Sequence, residues 1–202
     1  VLWINDAQRE IALLKPDASA TNATVTLATG TKQDIPNGGN RLLRVVRNMS
    51  AASSGTGKRS VRIVDREVLD AQSPDWHDPT VAGDAAHTTI VKHYVYDDAN
   101  PRNFYVYPGV AGSAYLEIIY SSNPAAVAQS ANLSIPDIFA NAVMNYVLYM
   151  AYMKDAEYAG NAERATTHYT LFTNSVMGKG MIDTGTSPNI DTRQPLPIMG
   201  RS

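Results

Sequence analysis

Residues 2–30 read LWINDAQREIALLKPDASATNATVTLATG, and their hydrophobic period changes half-way. Trp3, Ala7, Ile11 and Leu14 are spaced four, four and three apart, which is one face of a helix over 2–14. Asn5, Gln8, Arg9 and Glu10 fall on the opposite side. Pro16 ends the helix, because the residue before a proline avoids the helical region, and Asp17 follows as a turn residue. From residue 23 the period becomes two, and ATVTLATG is rich in β-branched residues, as a strand is.

The β pattern continues for about a hundred residues. TKQDIPNGGNRLLRVVRNMS (31–50) has a turn at NGGN and a strand from Leu42 to Met49. SSGTGKRS (53–60) reads as a flexible loop, SVRIVD (60–65) as a short strand, and DREVLDAQ (65–72) as a helical turn with Val68 and Leu69 inward. HTTIVKHYVYDDANPRNFYVYPGV (87–110) is a hairpin, with Asp, Asn and Pro in DDANPR at its reversal. SAYLEIIYSS (113–122) supplies another strand, giving about six strands over 20–122.

The period then returns to that of a helix. Ser134 stands three residues before Asp137, with Pro136 between them, a start resembling a capping box. Ile138, Phe139, Ala142, Val143, Tyr146, Val147 and Met150 form an apolar face on a helix over about 135–158. AGN (159–161) is a turn, and a second helix over about 162–178 carries Ala165, Tyr169, Phe172 and Val176 on one side. The prolines and turn-formers of the last residues suit only an extended arm, 183–202. The fold class is therefore α+β. It is a small helical bundle, made of the N-terminal helix and a C-terminal αα-hairpin, with a β-rich block inserted and an arm appended. Residues 1–182 read as a single domain.

Composition narrows the function. Hydrophobic residues make up 44% and charged residues 18%, with a net charge of -2. So low a charge suits a protein that hides surface in an oligomer, and it gives no bulk attraction to nucleic acid or membrane. There are no cysteines, which excludes disulfides and thiolate chemistry. No apolar run approaches the roughly 20 residues of a membrane span. The helical pattern starts at once in VLWINDAQRE, without a Met, so further residues are expected upstream.

Chemical motifs are sparse. SSGTGKRS lacks the first Gly of a phosphate loop and has Arg59 where the hydroxyl should follow the Lys. Lys58 and Arg59 could still touch phosphates or a partner's acidic rim. SPDWHD (73–78) holds Asp75, Trp76, His77 and Asp78, and a metal site from His77, Asp75 or Asp78 and His87 is conceivable. Yet His77, His87, His93 and His168 form no HxxxH or HxH pair. His93 and His168 suit local packing. The Asp97–Asp98 pair is explained by its turn. The expected catalytic, cofactor and metal sites are thus none. Trp76 is large enough to cap the β-block or to anchor a neighbouring subunit.

Five blocks occur in order: WINDAQREIALLKPDA, TKQDIPNGGNRLLRVVRNM, VDREVLDAQSPDWHD, HYVYDDANPRNFYVYPGV and YVLYMAYMKDAEYAGNAERATTHYTLF. Together, over residues 2 to about 178, they resemble the head-to-tail connector (adaptor, or head completion) proteins of tailed bacteriophages. The resemblance implies a homo-oligomeric ring of about twelve subunits, a portal protein above and a tail or nozzle protein below. Double-stranded DNA would pass through the channel without sequence-specific binding, and no membrane is involved. The place of action would be the virion neck, after synthesis in the bacterial host cytoplasm. The C-terminal segment of such proteins reaches the portal. Here Leu196, Ile198 and Met199 would be its apolar anchors and Arg193 and Arg201 its polar contacts. Two alternatives are another neck or tail-completion or tail-tube ring, and a metal-dependent enzyme.

Overall fold

The chain crosses between two compact units at Lys15–Pro16 and again at Asn123–Pro124. The computed structural model describes residues 1–53 and 55–185. The first unit holds residues 1–15 and those from 124 onward, and the second holds 16–123.

In the first unit, helix α1 (Leu2–Leu14) buries Ala7, Gln8, Ile11 and Ala12. Two residues depart from the expected face. Leu14 is turned outward, and Gln8 is fully buried. The Gln8 amide fits inside because it is satisfied. Its Oε1 accepts from the backbone N–H of Ser134 (2.7 Å) and from Ser134 Oγ (2.9 Å), and its Nε2 donates to Asn5 Oδ1 (3.3 Å). Asn5 in turn accepts from the backbone N–H of Val127 (2.8 Å) and donates to its carbonyl (3.3 Å). The polar residues of α1 therefore clamp the returning chain.

The second unit is built of strands β1 (Ala20–Thr26), β2 (Gly30–Asp34), β3 (Gly39–Met49), β4 (Gly57–Ser60) and β5 (Arg62–Ile63). Helix α2 (Arg66–Gln72) follows, then β6 (His93–Tyr96), β7 (Asn103–Val110) and β8 (Tyr115–Ser122). They form two four-stranded sheets, in the orders β1-β8-β3-β4 and β2-β7-β6-β5. All pairs are antiparallel except β5 with β6. Among the described residues eight strands appear where about six were expected, since part of the supposed loop 53–60 pairs as β4 and residues 30–34 form β2.

Strand β3 breaks the alternation rule. Its register against β8 shifts three times, and Gly39, Leu42, Val45 and Asn48 are buried at every third position. Bulges explain this, because each extra residue resets which face the next side chain takes. Val45 and Leu42 meet Leu116, Ile118 and Tyr120 of β8 and Tyr94, Phe104, Val106 and Val110 of the other sheet in one core. Asn48, 2% exposed, sits within it. Its Oδ1 accepts from Val91 N–H (2.8 Å), and its Nδ2 donates to the carbonyls of Val91 (2.8 Å) and Arg59 (2.9 Å).

The remaining helices return to the first unit. Ser134 does not cap the next helix: the preceding 3-10 turn starts after Pro136, and the Ser134 hydroxyl instead donates either to Gln8 Oε1 or to the Ala125 carbonyl. A 3-10 turn (Asp137–Phe139) leads into α3 (Ala140–Lys154), which stops short of the expected 158. Gly160, at φ +84°, makes the left-handed turn into α4 (Asn161–Gly185). That helix runs past the expected 178. Aromatic rungs join α3 to α4: Tyr146 with Phe172 (5.2 Å between ring centroids), Tyr149 with Tyr169 (5.0 Å) and Tyr152 stacked on His168 (5.6 Å). Such pairs each contribute about 0.5–1.5 kcal/mol beyond their burial.

Candidate assembly interface

SPDWHD lies just after α2. Asp65 caps that helix by accepting from Glu67 N–H (3.0 Å). Trp76 is fully buried with Leu69, Ala85, Val95 and Tyr107. Its Nε1 donates to Asp70 Oδ1 (2.9 Å), and its ring meets Tyr105 and Tyr107 edge-on at 6.2 and 6.4 Å. This bond, more than the nearby Arg66, holds the Asp70 carboxyl below its usual range. Trp76 thus covers the outer face of the second sheet of its own chain. It has no exposed surface in the single chain.

The other residues of the stretch do not converge. The His77 ring lies tilted by 30° against that of Trp76 (3.7 Å between centroids), and its Nδ1 pairs with Thr31 Oγ1 (2.7 Å). Burial, more than the charge of Arg66, lowers its pKa. Asp78 accepts from the N–H (2.8 Å) and hydroxyl (2.7 Å) of Thr80, which lowers its pKa, while Asp75 is exposed. His87 has both ring nitrogens buried without a hydrogen-bond partner, and its ring lies directly over the backbone of Gly109. His93 has a buried, unpartnered Nδ1, and burial depresses its pKa. His168 pairs with Asn145 Oδ1 (3.0 Å). Among the described residues, no three His, Asp or Glu side chains are placed to hold a metal. Among them too, no helix is long and apolar enough to cross a membrane.

Unused surface is more informative. Helix α3 carries one charged residue, Lys154, in fifteen, yet buries only Ala142 and Val143. Met144 (62% exposed) and Met153 (46%) lie on opposite sides of it. Leu2, Leu13, Leu171, Met177 and Met181 are also exposed on α1 and α4. A helix apolar all round is normally covered all round. The residues were missed because only the inward face was sought. The signal was the near absence of charge in α3.

Charge is unevenly spread along the strand block. Residues 35–64 contain Arg41, Arg44, Arg47, Lys58, Arg59 and Arg62 and no acid. Residues 65–84 contain six acids and the single cation Arg66. Lys58 and Arg59 lie on the exposed edge strand β4. Arg193, Leu196, Ile198, Met199 and Arg201 lie outside the described residues.

A family model described as SU10 adaptor protein matches residues 1–192. The chain belongs to that family. The adaptor is a structural, head-to-tail connector protein of the phage virion neck, where it assembles beside portal and tail. No curated protein matches the chain. Membership agrees with the helices before and after the strand block and with the surface left uncovered on them.

Proposed function

We propose that the adaptor forms a closed ring of about twelve subunits that docks on the portal and extends the DNA channel toward the tail. It is made in the host cytoplasm and acts without catalysis. Residues 1–182 act as the ring body. Residues 183–202, of which 186–202 lie outside the described residues, act as an arm to the portal, with Leu196, Ile198 and Met199 as apolar anchors and Arg193 and Arg201 as polar contacts. Tethering makes each arm contact intramolecular once the ring has docked. DNA passes without being held, which requires a lumen with few unpaired cations.

The observation that carries this reading is the apolar surface left on α1, α3 and α4. Seven side chains there are 46–77% exposed: Leu2, Leu13, Met144, Met153, Leu171, Met177 and Met181. Covering each gains about 1 kcal/mol. The sum is on the scale of the roughly 4–15 kcal/mol that association costs in lost freedom.

Mass photometry of the full chain with portal tests the proposal. The wild type should give a ring on the portal. Met144→Glu with Leu171→Glu should prevent the ring while leaving the helical circular-dichroism signal intact. A double variant that assembles as the wild type does would refute the helical contact. A wild type that ignores portal at all concentrations would refute the ring.

A further inference from the structure

One corner of the strand block gathers positive charge that no ion pair offsets. Residues 59–62 turn there from β4 into β5, with Val61 buried at the bend. Asn48 ties this turn to the chain entering β6, because its Nδ2 donates to the carbonyls of both Arg59 (2.9 Å) and Val91 (2.8 Å). The Arg62 N–H donates to the Lys92 carbonyl (3.3 Å), and Arg62 stands in register with His93. Arg59, Arg62 and Lys92 are thereby brought close enough to one imidazole for the charge of each to act on it. Arg59 and Arg62 are exposed and Lys92 is half-buried. None of them makes an ion pair among the described residues.

The group among these cations is not an acid. His93 is half-buried beside Tyr107 (6.3 Å between ring centroids), and its Nδ1 is buried without a hydrogen-bond partner. Burial first, and then the charges of Arg59, Arg62 and Lys92, hold the ring below its usual pKa, against a bond to the Arg62 backbone that favours protonation. No acid is among the groups that act on it. At neutral pH the imidazole is therefore uncharged. An aspartate or glutamate in its place would pair the cations from within the chain, whereas a neutral ring leaves their charge unmet. Like charges held this close repel, and a bound anion relieves the repulsion.

We propose that Arg59, Arg62 and Lys92 form, over His93, an anion site for phosphate groups. An arginine fork meets phosphate oxygens two at a time, and a lysine adds a point charge. A lone carboxylate has too few oxygens for all three cations. A phosphate has more, and DNA repeats the group roughly every 3.4 Å along each strand. The phosphate comes either from the DNA backbone or from the free ion. One chain carries the whole site, so the inference does not rest on the ring reading. A few cations hold phosphate weakly at physiological salt, so DNA sliding past them would be slowed rather than fixed.

The test uses the full-length protein, with inorganic phosphate and a short double-stranded DNA as probes. By NMR at constant ionic strength, the His93 ring and the Arg62 and Lys92 amides should shift as either probe replaces chloride. Arg59→Gln with Arg62→Gln should weaken binding at least about tenfold. Both side chains are exposed, so the fold should survive, as circular dichroism would show. Arg102→Gln removes an exposed, unpaired cation at the far end of the β6–β7 hairpin and should leave binding unchanged. With DNA, the slope of log affinity against log salt should fall by about two in the double variant. Shifts with phosphate alone assign the site to the free ion. Shifts with DNA that the double variant abolishes assign it to the DNA backbone. No shift at this corner with either probe, or a double variant no weaker than Arg102→Gln, overturns the proposal. Binding of a polyglutamate peptide at the corner, where neither phosphate nor DNA binds, also overturns it and gives the cations to an acidic protein partner.

Discussion

Replacing Trp76 with alanine separates the two places this side chain could occupy, inside its own chain or against a neighbour. A buried tryptophan removes about 150–250 Å² from water. At about 25 cal/mol per Å² this is roughly 4–6 kcal/mol, an upper figure because the unfolded chain already hides some of it. Alanine keeps a little of that burial, and the cavity left among Leu69, Val95 and Tyr107 adds a penalty. The expected loss is about 3–5 kcal/mol. Urea unfolding followed by circular dichroism would show it. With a slope of about 2 kcal/mol per molar, the midpoint falls by about 2 M. Trp76→Phe should lose markedly less. The largest cause holding down the Asp70 carboxyl also disappears with the indole N–H, so its titration by NMR should move up toward the usual 3.8. A stability loss under about 1 kcal/mol, with assembly abolished, would refute the reasoning and put Trp76 at a subunit contact.

Asn48→Ala should cost about 2–4 kcal/mol, because a buried N–H and carbonyl of Val91 lose their partners. A loss below about 1 kcal/mol in urea would show that those groups find others. Stability should also fall with acid in two stages. His77 and His93 are held below the usual 6.5, chiefly by burial. The unfolded chain therefore binds their protons first, and the stability present above 6.5 declines as the pH drops below it. Asp70, Asp78 and Glu117 are held below their usual 3.8, 3.8 and 4.5, the last chiefly by Asn22 and then Arg47. Their share is present above about 4.5 and is lost as the pH falls through the folded values. Melting temperatures from pH 8 to pH 3 check both stages, and a value flat or rising from pH 7 to pH 5 contradicts the first.

Where sequence and structure agree, one local cause was enough. Pro16 ended α1 at the expected place, and DDANPR turned the hairpin between β6 and β7. Disagreement arose where a distant partner decided. Gln8 looks like a surface residue until Ser134 is brought to it from over a hundred positions away. The three-residue period of β3 depends on bulges against β8, which the composition of β3 does not announce. Trp76 was legible as a residue that either caps its own β-block or anchors a neighbour, but the choice between the two was not, because it depends on Val95 and Tyr107 lying beneath it. The uncovered faces of α3 were legible in its lack of charge, had every side of the helix been considered.

Strands β1 and β8 begin and close the inserted block, and Ala20 pairs directly with Ser121. Ser19 Oγ and Ser121 Oγ meet at 2.9 Å, as do Thr21 and Ser122 at 3.0 Å. The two ends of the insert are thus fastened together, about 5 Å apart. A block closed in this way behaves as an interchangeable cassette. Strands can be lengthened, recharged or exchanged for another module without altering the gap that the flanking chain must bridge. The surface of the strand block can therefore diverge with each new partner, while the helical part stays under the constraints of its own packing.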